Sequence, residues 1–255
     1  MRTVSRTVFS DNLTSLYYLL AFGVAEALIA YVNSASGLAF YFMILIMLMI
    51  PNTVSRNEGS RSMWLALGLV PLMRIVSLVI PIAEISEIYW YLMIAIPVFV
   101  GAFIVMRNLK IGLPEVGLNG NMLLAQIVVA ALGIGLGLAD YLILKPQALN
   151  SELTIQATLF PAFILLVFSG FLEELVFRGI IQKEASAIGS LGWVYVALFY
   201  SVLQMGLGSP LQFVFALGVS LFYGWIVKAT GSIIGVSLSH GLLIVGMFLV
   251  FPHIF

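Results

Sequence analysis

Three charged residues stand inside one apolar run: Glu173, Glu174 and Arg178, in the stretch Gly170 to Gln182 that reads G-F-L-E-E-L-V-F-R-G-I-I-Q. A charge in hydrocarbon is expensive, so an intramembrane carboxylate is either neutralised by a partner or employed in chemistry, most simply as a proton acceptor. Glu174 and Arg178 are i and i+4 on a helix, share a face and can pair. Glu173 is rotated by about 100° around the helix and points elsewhere. The plain reading is a helix-end ion pair with a snorkelling glutamate. The chemical reading is a braced helix that aims a second carboxylate into a cavity. His240, in Ser237-Leu238-Ser239-His240-Gly241, is another proton-handling group. Its plain reading is a core histidine bonded to Ser237, three residues earlier, or to another helix. Two carboxylates and one histidine also suit a divalent ion. There is no H-E-x-x-H, however, and the carboxylates diverge around the helix, so we assign no metal. Ser201 and Ser239 lack the elbow motif of a serine nucleophile.

The elements that must position these groups are set by composition. The chain has 255 residues, of which 62% are hydrophobic and 9% charged, with a mean hydropathy of +1.14. A soluble domain carries roughly 25% charged residues, so an all-α polytopic membrane protein is expected. Eleven basic residues balance eleven acidic ones. That leaves no nucleic-acid footprint and no polybasic patch for a lipid surface. The absence of cysteine excludes disulfides, thiol catalysis and Cys-ligated zinc or iron–sulfur centres. No small-residue cleavage site follows the polar start, Met1 to Asp11, so the first apolar run is expected to be a retained membrane helix.

Runs of about 20 apolar residues, enough to cross a ~30 Å hydrocarbon core, can be marked off by polar, Gly and Pro punctuation. They lie at about Leu13 to Val32, Ala35 to Ile50, Met63 to Ile82, Ile88 to Met106, Met122 to Leu144, Thr158 to Gln182, Leu191 to Leu207, Leu211 to Val227 and Ile233 to Phe251. This gives nine spans in a single transmembrane domain, residues 1–255. Eight is the rival count, because the second run, ending at Pro51-Asn52, and the seventh are short. With nine, Arg2, Arg6, Arg56, Arg61, Arg107, Lys110, Lys183 and Lys228 fall on one side and only Lys145 on the other. The positive-inside rule then puts the N-terminus in the cytoplasm, in what is expected to be a plasma (inner) membrane. Glu26 and Arg74 both fall about 17–20 Å deep at ~1.5 Å per residue, and are expected to pair. Asp140 lies near an outer helix end and is expected to be solvated, as are the loop residues Glu84 and Glu87. Tyr17-Tyr18 and Tyr89-Trp90-Tyr91 read as interface belts or helix packing.

Glu173-Glu174-Leu175-Val176-Phe177-Arg178-Gly179 resembles the E-E-x-x-[FY]-R-G signature of the CPBP family, which comprises the type II CAAX prenyl endopeptidases and the bacteriocin-processing, or Abi, membrane proteins. The likeness covers roughly Ile155 to Val250. The family's second motif, F-x-x-x-H, would fall on Tyr200-Ser201-Val202-Leu203-Gln204, which puts Gln204 where a histidine is expected. The third, H-x-x-x-N or H-x-x-x-D, is met by His240 but has Ile244 in its last position.

The resemblance implies a metal-independent glutamic intramembrane endopeptidase that needs no cofactor and cuts a membrane-associated peptide or protein. In it Glu173 would be the general base, Gln204 would hold the water, His240 would supply an oxyanion donor, and Glu174 with Arg178 would brace the helix. A carboxamide can position a water but cannot relay a proton. Loss of one oxyanion donor at Ile244 would cost about 10²–10³ in rate. The alternative is a catalytically degenerate relative that serves as scaffold or accessory subunit of a membrane complex.

Overall fold

A computed structural model describes residues 2–54, 58–80, 86–207 and 209–255, with side chains for 13–50, 61–80, 86–206 and 209–255. Arg2, Arg6, Arg56, Glu84 and the Pro51-Asn52 side chains lie outside the described side chains. The described elements are all helical, as expected where a bilayer offers the backbone no hydrogen-bond partner and each segment must satisfy its own amides. They are α1 (Arg2–Tyr31), α2 (Ser34–Val54), α3 (Glu58–Leu67 and Leu69–Val79, interrupted at Gly68), α4 (Glu87–Leu109) and α5 (Leu123–Leu144). There follow α6 (Ile155–Ile188), α7 (Gly192–Gly206), α8 (Pro210–Thr230) and α9 (Ile234–His253). Among the described residues seven helices are long and apolar enough to cross a membrane, and α2 and α7 are the shorter ones. These are the two that the sequence marks as short. The chain is a multi-pass helical membrane protein.

The chain divides into two compact units, Met1–Leu78 with Ile180–Gly224, and Val79–Gly179 with Trp225–Phe255. In the first, α1 is the organising helix. Phe22 is fully buried between Tyr41 of α2 and Phe199 of α7, with ring centroids 5.6 and 4.5 Å away. One turn later Glu26 is also fully buried. Arg74 of α3 donates to it twice, Nε to Oε1 and Nη2 to Oε2, both at 2.7 Å. The Tyr41 hydroxyl donates to the same Oε1. The backbone of Gly206 lies directly against this pair, leaving no room for a side chain there.

Removing one partner of such a pair strands the other charge. Arg74→Met should therefore destabilise the protein by about 2–3 kcal/mol, less than the ~3–5 of a fully buried pair, because the Arg74 side chain is 24% exposed. Glu26→Gln combined with Arg74→Met should recover part of that loss. Denaturant unfolding in detergent reads both. A double variant no better than the single one would mean that the pair is not what holds this region.

In the second unit α9 is the central helix, with 67% of its most apolar 18-residue stretch buried against 28% for that of α5. Gly133 and Gly137 of α5 form a small-xxx-small stripe that brings the backbones of α5 and α9 together. A Cβ at Gly137 would lie 2.6 Å from the carbonyl oxygen of Leu243. On another side of α9, a Cβ at Gly170 of α6 would lie 2.5 Å from the Gly241 amide nitrogen. The α9 N-terminus is tied down as well. Gln126 Oε1 accepts from the Gly235 amide at 2.7 Å, and the Gly117 carbonyl accepts from Ile233 N at 2.9 Å. Gly117 has φ +88°, a left-handed conformation that glycine adopts without strain.

Asp140 departs from expectation. It is 5% exposed, not solvated. The cause is its helix: α5 packs closely on α9 through its glycine stripe, and the next residue, Tyr141, joins Met247 and Phe251 in a buried cluster. Glu87, by contrast, opens α4 at an exposed position, as expected.

Candidate active site

α6 carries three of the relevant side chains, and its winding is irregular where they sit. An i→i+5 segment, Leu165–Phe171, is followed by one α-helical turn, Leu172–Glu174, and a second i→i+5 segment, Leu175–Ile181. Such wide turns within helices recur at functional sites. Gly170 lies in the first wide segment, at the point of closest approach to α9. Gly179, in the second, has the Val116 carbonyl 2.9 Å from where its Cβ would be, so the α4–α5 loop packs under the motif's Arg178-Gly179. These contacts fix the register of α6 against α9, and with it the level at which Glu173 and Glu174 meet His240.

The four charged or titratable groups form one chain of contacts. Arg178 Nε lies 3.3 Å from Glu174 Oε2, the i and i+4 geometry expected from their spacing. Glu174 Oε1 lies 2.8 Å from His240 Nδ1. The other ring nitrogen, Nε2, faces Glu173 Oε2 at 3.9 Å. His240 thus spans both carboxylates, hydrogen-bonded to one and turned towards the other. Of the two partners in the plain reading of His240, Ser237 is not used, since its hydroxyl makes no hydrogen bond among the described residues, whereas a bond to another helix is present, to Glu174 of α6. Burial grades along the chain. The side chains of Glu174, Arg178 and His240 are 0, 1 and 8% exposed, and Glu173 is 25% exposed. Glu173 is therefore the member of this cluster that another molecule can reach.

Two neighbours escaped the sequence reading. Ser169, 4% exposed, donates from Oγ to Glu173 Oε1 at 3.2 Å. Its i−4 spacing was visible, but an apolar run that contains a serine is common and carries no signal by itself. Tyr91 of α4 is within electrostatic reach of Glu173 and stacks edge-on to Phe248, centroids 6.5 Å apart. Only packing reveals that.

Three further residues singled out in the sequence remain to be placed, each within its own unit. Gln204 belongs to the first unit, where it ends the α-helical part of α7 and starts the 3₁₀ turn Gln204–Leu207 that passes the Glu26–Arg74 pair at Gly206. Ile244 is buried one turn beyond His240 on α9. His253 is used structurally: Nε2 lies 2.9 Å from Asn150 Oδ1, and Asn150 Nδ2 donates to Thr158 Oγ1 at 3.1 Å, which holds the α5–α6 loop to the end of α9.

Fold and site together define an intramembrane helical protein with a carboxylate–imidazole cluster on two helices packed through glycine. Residues 155–245 match a family model described as Type II CAAX prenyl endopeptidase Rce1-like. The resemblance to the CPBP family read from E-E-L-V-F-R-G therefore holds over this segment, which contains Ser169, Glu173, Glu174, Arg178, Gln204 and His240. No curated protein and no solved structure matches the chain.

Proposed function

We propose that the protein is a glutamic intramembrane endopeptidase that hydrolyses a peptide bond in a membrane-associated peptide or protein. The observation that carries this reading is the placement of His240 between two unequal carboxylates. Glu174 is buried and committed to Arg178 and to Nδ1, while Glu173 is partly exposed and 3.9 Å from Nε2. That separation is too long for a direct hydrogen bond, so both groups can act on a third one. Two carboxylates, one guanidinium and one imidazolium sum to zero charge, the least costly state for a cluster in a low dielectric.

In this state Glu174 fixes the imidazolium through Nδ1–H and leaves Nε2–H as a donor. Glu173 takes a proton from water as the water oxygen bonds to the peptide carbonyl carbon. The carbonyl oxygen becomes an oxyanion and accepts from Nε2–H of His240. On collapse the C–N bond breaks, the proton held by Glu173 passes to the leaving nitrogen, and the carboxylate is restored.

Ile244 supports a second reading. An apolar side chain at this position removes one oxyanion donor, which fits a degenerate relative acting as scaffold or accessory subunit. The purified protein in liposomes, offered a panel of lipid-anchored and transmembrane peptides, decides between them when new peptide termini are sought by mass spectrometry. Cleavage supports the protease. Its absence, together with a membrane protein that co-purifies in fixed ratio, supports the scaffold.

We further propose that the N-terminus is cytoplasmic and the host membrane the plasma membrane. This reading counts α2 and α7 as crossings, nine in all, which sends Arg107, Lys110, Lys183 and Lys228 to one side and Lys145 to the other. Because the chain has no cysteine, Lys110→Cys and Lys145→Cys are clean probes. An impermeant thiol reagent applied outside intact cells should label the second and not the first. The reverse pattern would invert the topology.

A further inference from the structure

A serine in a helix commonly returns its hydroxyl to a carbonyl about one turn back. Ser201 does so to Ala197 O at 2.8 Å, as Thr230 does to Ile226 O at 2.9 Å. Ser169 instead donates forward, to the carboxylate of Glu173 at 3.2 Å. It sits in the wide-wound segment of α6, 4% exposed, one residue before the Gly170–Gly241 contact with α9. The two oxygens of Glu173 are thereby distinguished: Oε1 is bound by Ser169, and Oε2 faces His240 Nε2. That carboxylate is met by Ser169 on its own helix, by His240 of α9 and by the field of Tyr91 of α4, while Glu174, paired with Arg178, holds the other nitrogen of His240. Ser169 is a neutral hydrogen-bond donor on Glu173's own helix, and it has no other part in the proposed reaction.

We propose that Ser169 is a positioning residue: its hydroxyl holds Oε1 of Glu173 and so presents Oε2 to the water and to His240. This rests on the hydrolytic reading above, because the value of the orientation lies in proton transfer from that water. Misplacing a reacting group by about 1 Å costs up to ~10²-fold in rate without weakening substrate binding. Ser169→Ala should lower kcat about 10–100-fold and leave KM and the unfolding temperature unchanged. Ser169→Thr, which keeps the hydroxyl, should recover most of the rate. A second readout needs no turnover. In infrared difference spectra of wild type against Glu173→Gln, the antisymmetric carboxylate band assigned to Glu173 should move to higher wavenumber in Ser169→Ala. Unchanged kcat in Ser169→Ala, or an unmoved band, overturns the assignment. A moved band in a protein that cleaves nothing keeps the positioning and sinks only the hydrolytic reading.

Discussion

Glu173→Gln should abolish peptide cleavage, lowering kcat/KM by about 10³-fold or more, while the protein inserts and unfolds like wild type. The substitution preserves size and keeps an oxygen that Ser169 can still donate to. It removes the one property the proposed reaction demands, the ability to take a proton from water. Because the Glu173 side chain is a quarter exposed and its approach to His240, at 3.9 Å, is beyond hydrogen-bond range, neutralising it should cost far less stability than breaking the buried Glu174–Arg178 pair. Initial rates on a cleaved peptide, set beside thermal unfolding of the same preparation, check the two halves together. A variant that keeps a tenth or more of the wild-type rate would remove Glu173 from the role of general base.

Arg178→Met should have the opposite profile, a loss of fold ahead of any question of rate. The Arg178 and Glu174 side chains are 1 and 0% exposed. Breaking a buried pair by removing one partner typically costs about 3–5 kcal/mol, because an uncompensated charge stays behind. Methionine fills a similar volume, so the loss is electrostatic and not a cavity effect. Adding Glu174→Gln should recover much of it, since an amide tolerates the apolar surroundings and can still meet His240 Nδ1 as an acceptor. The fraction folded across a denaturant series in detergent measures both variants. A single variant as stable as wild type would mean that Arg178 is not what keeps Glu174 ionised in place.

The sequence by itself determined what depends on local spacing and on the cost of charge in lipid. Long apolar runs become helices because no other backbone satisfies its amides there, and the second and seventh were visibly short. Four-residue spacing puts Glu174 beside Arg178 on one helix. Glu26 and Arg74 were legible as partners, since two opposite charges at equal depth have no cheaper state than each other. The motif around Glu173 was legible too, as a pattern of residue types.

Tertiary structure decided the rest. The glycine contacts at Gly133, Gly137 and Gly170 set the register of α9 between its neighbours. That register gives Nδ1 of His240 to Glu174, turns Nε2 towards Glu173 and leaves the Ser237 hydroxyl aside. The same packing buries Asp140, whose place near an outer helix end implies solvation. Periodicity reports which face of a helix a residue occupies. It is silent on which helix meets that face and at what height, because those follow from contacts between segments distant in sequence. The distances between Glu173, Glu174 and His240 are of that second kind.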